Sequence, residues 1–303
     1  MEESIVAVVV TYNRKELLVE NIECLIAQKP YAPAILVIDN HSTDGTREYI
    51  SQYIEDRSVE YIDTGANLGG AGGFSFGLKY AAEQGYDYIW LMDDDSMPKP
   101  TALKELVKAN TEIEGEIGFL ASKVIWTDGS ICNMNIQRTS ALKKVTDYSS
   151  SRIPVVVSSF VSLFVSSRVV SEVGLPFKEF FIWTDDWEYT KRIANKYPCY
   201  LITDSVVVHK TASNTGSNIA VDSEERFSRY EYAYRNEMFF YRREGIKGLL
   251  YYGAKLMLHG YRVIRYAPNK KGTRLKIIYT NALKGLAFNP KVEYPNKTSE
   301  RRI

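Results

Sequence analysis

The chain reads as an α/β protein with a mixed, mainly parallel sheet, helices on both faces and a helical extension at the C-terminal end. Three observations predict this. Short apolar, β-branched runs recur through the first hundred residues, as in strands buried on both faces. Segments of helical spacing separate them, the alternation expected of a parallel sheet. Polar clusters follow the strands directly, where such sheets bind their ligands.

Residues 5–10, IVAVVV, form the first strand. A helix follows, with Leu17, Leu18, Ile22, Leu25 and Ile26 at helical spacing, and Pro30 and Pro33 punctuate its end. Residues 35–38 form a second strand leading into Asp39-Asn40, and residues 42–46, STDGT, start a further helix. Residues 59–62 are a third strand, 70–84 a helix despite its glycines, and 88–92 a fourth strand ending in Asp93-Asp94-Asp95. Pro98 and Pro100 open a helix over 101–109. The second half is less regular. Strands are expected over 123–126, 155–165 and 205–209, and a helix over 188–195. Residues 127–152 read as polar and mobile, and 211–223 as a loop rich in Ser, Asn, Thr and Gly. The pattern is helical from Glu224 onward, and there is no internal repeat.

The 303 residues are 45% hydrophobic and 25% charged, enough to build a core without staples. The 22 Tyr, 12 Phe and 4 Trp exclude disorder as the main state. No apolar run approaches the roughly 20 residues that span a bilayer. Cys24, Cys132 and Cys199 are far apart and form no CxxC pair, so neither a disulfide framework nor a zinc site is expected. The start, MEES, carries two acids where a signal peptide carries positive charge. A reduced, cytoplasmic setting fits. The net charge of +1 hides an asymmetry: from residue 241 there are 15 Lys/Arg and 3 Asp/Glu, a net of +12, which leaves −11 for the first 240. An acidic body suits a site built on carboxylates, and a basic tail suits an anionic partner.

Four constellations carry chemistry. Asp93-Asp94-Asp95 gains nothing from packing, and a hard cation such as Mg²⁺ or Mn²⁺ relieves its repulsion. A solvated acidic turn is the plain alternative. Residues 67–77, NLGGAGGFSFG, hold five glycines that let backbone approach a ligand or let a helix pack closely. They match neither a Walker loop nor GxGxxG. Asp185 and Asp186 lie between Trp183 and Trp187 at a helix start. Partial burial there raises a carboxylate toward general-base values, while a helix cap explains the same acids. His209 ends an apolar strand and becomes a metal-ligand candidate beside the acid cluster, although a lone His is more often structural. Residues 230–243, YEYAYRNEMFFYRR, read as an amphipathic helix packing its aromatics.

Taken in order, TYNR (11–14), DNHSTDGT (39–46), NLGGAGGF (67–74), MDDD (92–95), TDDWEY (184–189) and His209 resemble the family 2 inverting glycosyltransferases with the GT-A fold. The resemblance covers about residues 4–243. Within the family, the Gly-rich segment, DDWEY and the later YRN are most similar to bacterial galactofuranosyltransferases, and some rhamnosyltransferases share much of the pattern. The expected organisation is a catalytic domain over 1–223, with a nucleotide-binding half to about 110 and an acceptor half over 111–223; the helical, basic pattern sets a C-terminal region over 224–303, whose part beyond residue 245 the resemblance does not explain. The resemblance implies that Thr11, Tyr12, Asn13, Arg14 and Asp39 hold the nucleotide base and ribose. Asn67 and Gly70 would lie along the nucleotide and diphosphate, Asp94 would line the donor site, Trp183 would sit near the donor or the acceptor sugar, Asp93 would sit near the ribose or the metal, and Asp93, Asp95 and His209 would hold Mn²⁺ or Mg²⁺. Asp186 would be the general base, with Asp185 as the alternative.

The expected reaction is transfer of galactofuranose from UDP-galactofuranose to a hydroxyl of a polysaccharide or glycolipid, lipid-linked acceptors included. The runner-up is rhamnosyl transfer from dTDP-rhamnose. A non-catalytic sugar-nucleotide binding protein is the rival of another class, which the intact acids at 93–95 and 185–186 oppose. The sequence has no Gly-rich loop with adjacent Arg and Lys near its start, as a nucleotidyltransferase would, and a hydrolase leaves TYNR and DNHSTDGT unexplained. Beyond residue 245, apolar and aromatic residues alternate with basic ones. This fits a helix lying peripherally on the inner face of an anionic membrane. A helical subdomain that covers the sheet or joins two copies fits equally. Nucleic acid is a poor partner for the acidic body.

Overall fold

The structure, a computed structural model, describes residues 3–296. A nine-stranded sheet forms its centre. The chain opens with β1 (Ile5–Thr11), α1 (Lys15–Ile26), β2 (Ala34–Asp39), the short helices α2 (Thr46–Tyr49) and α3 (Ser51–Glu55), and β3 (Glu60–Asp63). Next come α4 (Gly69–Gln84), β4 (Tyr88–Asp93), β5 (Ser96–Pro98), α5 (Ala102–Glu112) and β6 (Leu120–Ile125). The middle contributes β7 (Arg138–Ser140), β8 (Lys143–Lys144), β9 (Arg152–Pro154), β10 (Leu163–Ser166) and α6 (Ser167–Val173). Then follow α7 (Asp185–Ala194), β11 (Tyr200–His209), α8 (Phe227–Arg242), α9 (Gly245–Tyr266) and α10 (Lys271–Ala287).

The strand order is β3-β2-β1-β4-β10-β6-β11-β5, with β9 also on β11. The β1, β2, β3 and β4 neighbours are parallel, as are β6 and β11; β10, β5 and β9 enter antiparallel. The period-2 alternation of β1 explains its unbroken apolar run. Val6, Val8 and Val10 join a core with Phe74 and Leu78 of α4, while Ala7 and Val9 face Leu18 and Ile22 of α1 and Leu103 of α5. Helices on both faces leave β1 almost no water contact.

Three expectations fail. The helical pattern expected from Glu224 onward ends at Ala287: residues 288–296 carry no helix, and 297–303 lie outside the described residues. Residues 155–165 are not one strand. The chain turns through a single 3₁₀ turn at Phe160–Ser162 before β10, because Ser158 is tied to Thr190 of α7, whose hydroxyl accepts its N–H at 3.1 Å. Residues 127–152 are not a free polar stretch either. Gln137 donates to the Ser122 carbonyl at 2.9 Å, Arg138 exchanges backbone bonds with Val157, and Cys132, Gln137 and Arg138 are buried. Polar side chains there bond inward to backbone, which a polarity reading cannot tell from solvation.

Helices α8 to α10 form their own core, with Tyr230, Tyr234, Tyr252, Val263 and Ile278 at its centre. That core also takes in Ala141 and Val157 of the body, and Trp183 and Trp187 pack against it.

Candidate active site

The parallel strands β1 and β4 end side by side, Val10 against Asp93, so the polar residues after each meet in one place. Thr11, buried at the end of β1, donates its hydroxyl to Asp94 at 2.8 Å. Arg14 reaches the same acids, 3.1 Å from Asp94 and 2.8 Å from Asp95. Strand β5 runs beside β11, Ser96 opposite His209, and this brings the imidazole to the acids. The His209 Nε2 lies 2.9 Å from Asp95, and its Nδ1 lies 2.8 Å from the Asn135 side-chain oxygen.

The carboxylates of Asp93 and Asp95 and a ring nitrogen of His209 offer three ligand atoms within 4.8 Å of one another. Burial, with the charge of Asp95, pushes Asp93 up to about 7. Burial also raises Asp94, to about 6. Burial would raise Asp95 too, but its bond to His209 and the charges of His209 and Arg14 outweigh that and hold it low. Two crowded carboxylates and one imidazole are a donor set that fits Mn²⁺ or Mg²⁺, and a cation would relieve the repulsion that raises Asp93.

The second acid pair stands at the first turn of α7. The approach to it is backbone held in an unfavourable state: Phe181, Trp183 and Thr184 have φ of 63°, 65° and 72° without being glycine. Asn236 of α8 holds this segment. Its buried side-chain amide lies 2.9, 3.2 and 3.0 Å from the carbonyls of Phe180, Ile182 and Trp183. The first turn of α4 holds it from the other side. The Ala71 N–H donates to the Phe181 carbonyl at 3.1 Å, and Gly69 has φ of +70° with room for no side chain beneath that carbonyl. Burial raises Asp185 to about 6, and raises Asp186 well above the carboxylate range with help from the Asp185 charge. The charge of Asp93 adds to the rise at Asp186, so the two acid clusters lie near enough to feel each other's charge. The Asp186 carboxylate accepts the Trp187 N–H at 2.8 Å.

Other residues singled out in the sequence take supporting places. Asn13 (φ 54°) accepts the Thr43 N–H at 2.7 Å and donates its own N–H to Ser42 at 2.8 Å, joining the two polar turns. Asp39 is 1% exposed and faces inward; it accepts from the Ser42 N–H, the Ser42 hydroxyl and Tyr61 at 2.6–2.8 Å, so it orders the turn. Tyr12 is exposed beside them. Asn67 accepts the Gly69 N–H at 2.9 Å, and the space around Gly70 is open. The remaining glycines of the run serve packing: a Cβ on Gly73 or Gly77 would meet Val10 or Val8 at about 2.6 and 2.5 Å. Trp183 touches Tyr230 edge-on at 5.4 Å and lies under Arg226.

Sequence reasoning gave no role to Asn135, Arg138 or Asn236. Arg138 stacks on Trp187 at 3.7 Å, and its charge favours an ionised Asp186. Asn135 and Arg138 lie in the irregular 127–152 stretch, where no periodicity marks them. Asn236 carried a signal, a lone amide on an otherwise aromatic helix face.

A mixed, mainly parallel sheet of this order with helices on both faces is the GT-A architecture. Solved structures agree on the fold. GalNAc-T7 with UDP, GalNAc and Mn²⁺ superposes with a TM-score of 0.59 at 15% identity, over 80% of this chain and 50% of that one. Residues 6–117 match the family model described as glycosyl transferase family 2, and the chain carries a domain of that family. Galactofuranosyltransferase GlfT1 of Mycolicibacterium smegmatis is 29% identical over 201 residues, 63% of this chain and 65% of that protein. The dTDP-rhamnosyl transferase RfbF of Shigella flexneri is 28% identical over 262 residues, 82% of this chain and 84% of that one.

Proposed function

We propose that the protein is an inverting glycosyltransferase that moves galactofuranose from UDP-galactofuranose to a hydroxyl of a saccharide acceptor, such as a growing polysaccharide or glycolipid. One observation carries this: Asp93, Asp95 and His209 offer three metal-type ligand atoms within 4.8 Å of one another at the strand ends, in a chain that sets a separate acid pair, Asp185 and Asp186, at the first turn of α7. The similarity to GlfT1 supports the sugar, and the similarity to RfbF supports rhamnosyl transfer from dTDP-rhamnose as the second reading.

In this reading Thr11, Tyr12, Asn13, Arg14 and the turn that Asp39 orders receive the nucleoside, and Asn67 and Gly70 border the diphosphate. Asp93, Asp95 and His209 would hold Mn²⁺ or Mg²⁺, which when bound stabilises negative charge on the departing diphosphate. An acceptor hydroxyl is a poor nucleophile at neutral pH. Asp186 takes its proton as the new glycosidic bond forms on the face opposite the leaving group, so the anomeric centre inverts and no enzyme nucleophile is needed. Asp185, the alternative base, otherwise shares the pair's proton. Asp94 fixes Thr11 and Arg14, and Trp183 flanks the sugar.

The test is thermal stability with UDP, UDP-galactofuranose, UDP-galactopyranose and dTDP-rhamnose, each with and without Mn²⁺, followed by NMR of product linkage. Ligand at a hundredfold excess over its Kd adds about 2.7 kcal/mol of apparent stability. The expected result is Mn²⁺-dependent stabilisation by UDP and UDP-galactofuranose and a product of inverted configuration. A preference for dTDP-rhamnose moves the donor to the second reading. No response to any nucleotide from folded protein overturns the transferase reading.

A further inference from the structure

Helices α9 and α10 present a surface that the proposed reaction does not use. Ile246, Leu250, Met257, Tyr261 and Ile264 recur at helical spacing along α9, and each is at least 58% exposed. The opposite face of α9 buries Tyr252 and Val263 against α8 and α10. The stripe is therefore the outward face of a packed helix about 33 Å long by its residue count. Water is a poor partner for it, and a contiguous apolar strip of this kind marks a docking face.

Charge identifies the partner. Residues 245–287 hold nine Lys/Arg and no Asp or Glu. Lys255 and Lys270 are paired with Glu237 and Glu224, and Arg274 is buried in backbone bonds. Among the described residues, no ion pair reaches Lys247, Arg262 or Arg265, which flank the apolar stripe. A two-fold interface would set this acid-free surface against itself. An anionic bilayer supplies what the stripe lacks: acyl chains for the apolar residues and headgroup phosphates for the cations.

We propose that α9 lies in the plane of an anionic membrane surface, with its Ile246-to-Ile264 stripe in the headgroup–acyl boundary and Lys247, Arg262 and Arg265 on lipid phosphates. This reading is independent of which sugar is transferred. Ring contacts link Trp183 to Tyr230, Tyr230 to Tyr234, and Tyr234 to His259 on the inner face of α9, so the helix is packed through aromatics onto the segment that leads into α7.

The test is flotation of the full chain with phosphatidylcholine vesicles, with and without phosphatidylglycerol, at low and high salt. The expected result is binding to the anionic vesicles alone, weakened by salt. Met257→Glu with Ile264→Glu, and separately Arg262→Glu with Arg265→Glu, each reduce binding by about tenfold or more. Both pairs keep the wild-type melting temperature and the UDP-induced shift, since all four side chains are exposed. Three results overturn the proposal. One is folded protein that does not float with anionic vesicles, and another is flotation that neither pair alters. The third is sedimentation velocity in which the same substitutions dissolve a dimer.

Discussion

At the scale of single residues, the two acid clusters differ in how their charge is managed. Asp95 has His209 and Arg14 beside it, whereas Asp185 is buried and, among the described residues, no ion pair reaches it. The carboxyl of Asp185 titrates at about 6 in the folded chain. It titrates at about 4 when unfolded. Folding thus favours its protonated form. The contribution to stability is full below pH ~4 and is lost as pH rises through the folded value, a loss on the order of 2 kcal/mol. Asp185→Asn keeps the shape and removes the charge. We expect equal melting temperatures near the acid end and a variant more stable by a few degrees above neutrality, read by calorimetry across pH. A variant less stable than wild type at high pH would contradict the burial argument. Asp186→Asn should lower kcat by about 10²–10⁴ with UDP affinity unchanged. If Asp185→Asn carries that loss instead, the two acids exchange roles.

At the scale of elements, the segment between the 3₁₀ turn Lys178–Phe180 and α7 stores strain that its neighbours hold in place. Each positive φ on a residue other than glycine costs roughly 1–3 kcal/mol. A single amide on α8 bonds three carbonyls there. Asn236→Ala removes these bonds, leaving the Phe180 carbonyl only the Ile182 N–H, and we expect it to destabilise the protein by about 3 kcal/mol in urea unfolding. The surviving folded fraction should bind UDP normally but turn over slowly, because the strained segment aims Asp186 and Trp183. Normal kcat per folded molecule would show that the clamp serves stability alone.

For the whole molecule, α8 to α10 share a core with the sheet-bearing body. Phe239 of α8 meets Phe177 and Phe180 edge-on, Tyr241 accepts from Arg138 at 3.1 Å, and Trp183 and Trp187 pack against the helical core. Neither part covers its aromatic surface alone. Thermal unfolding should therefore be one cooperative transition, with tryptophan fluorescence and far-ultraviolet circular dichroism coincident. Two separated transitions would mean that the helices fold as an independent unit.

The sequence by itself determined the alternation of β1, α1, β2, β3, α4, β4 and α5, because a strand buried on both faces reads as an unbroken apolar run and a helix as a 3.6-residue period. It also marked Asp93 to Asp95, Asp185, Asp186 and His209, since acids directly after apolar segments have no packing purpose. The tertiary structure alone decided how they combine. That Asp93, Asp95 and His209 share one site follows from β5 pairing with β11, a contact between residues more than a hundred apart in the chain. Only packing shows that Asp39 and Asp94 point inward, that Gly73 and Gly77 let α4 approach the sheet closely, and that Asn236 holds the turn before α7. Local periodicity records which face of an element is apolar. Which polar group finds a buried partner is set by distant neighbours, and no local pattern encodes them.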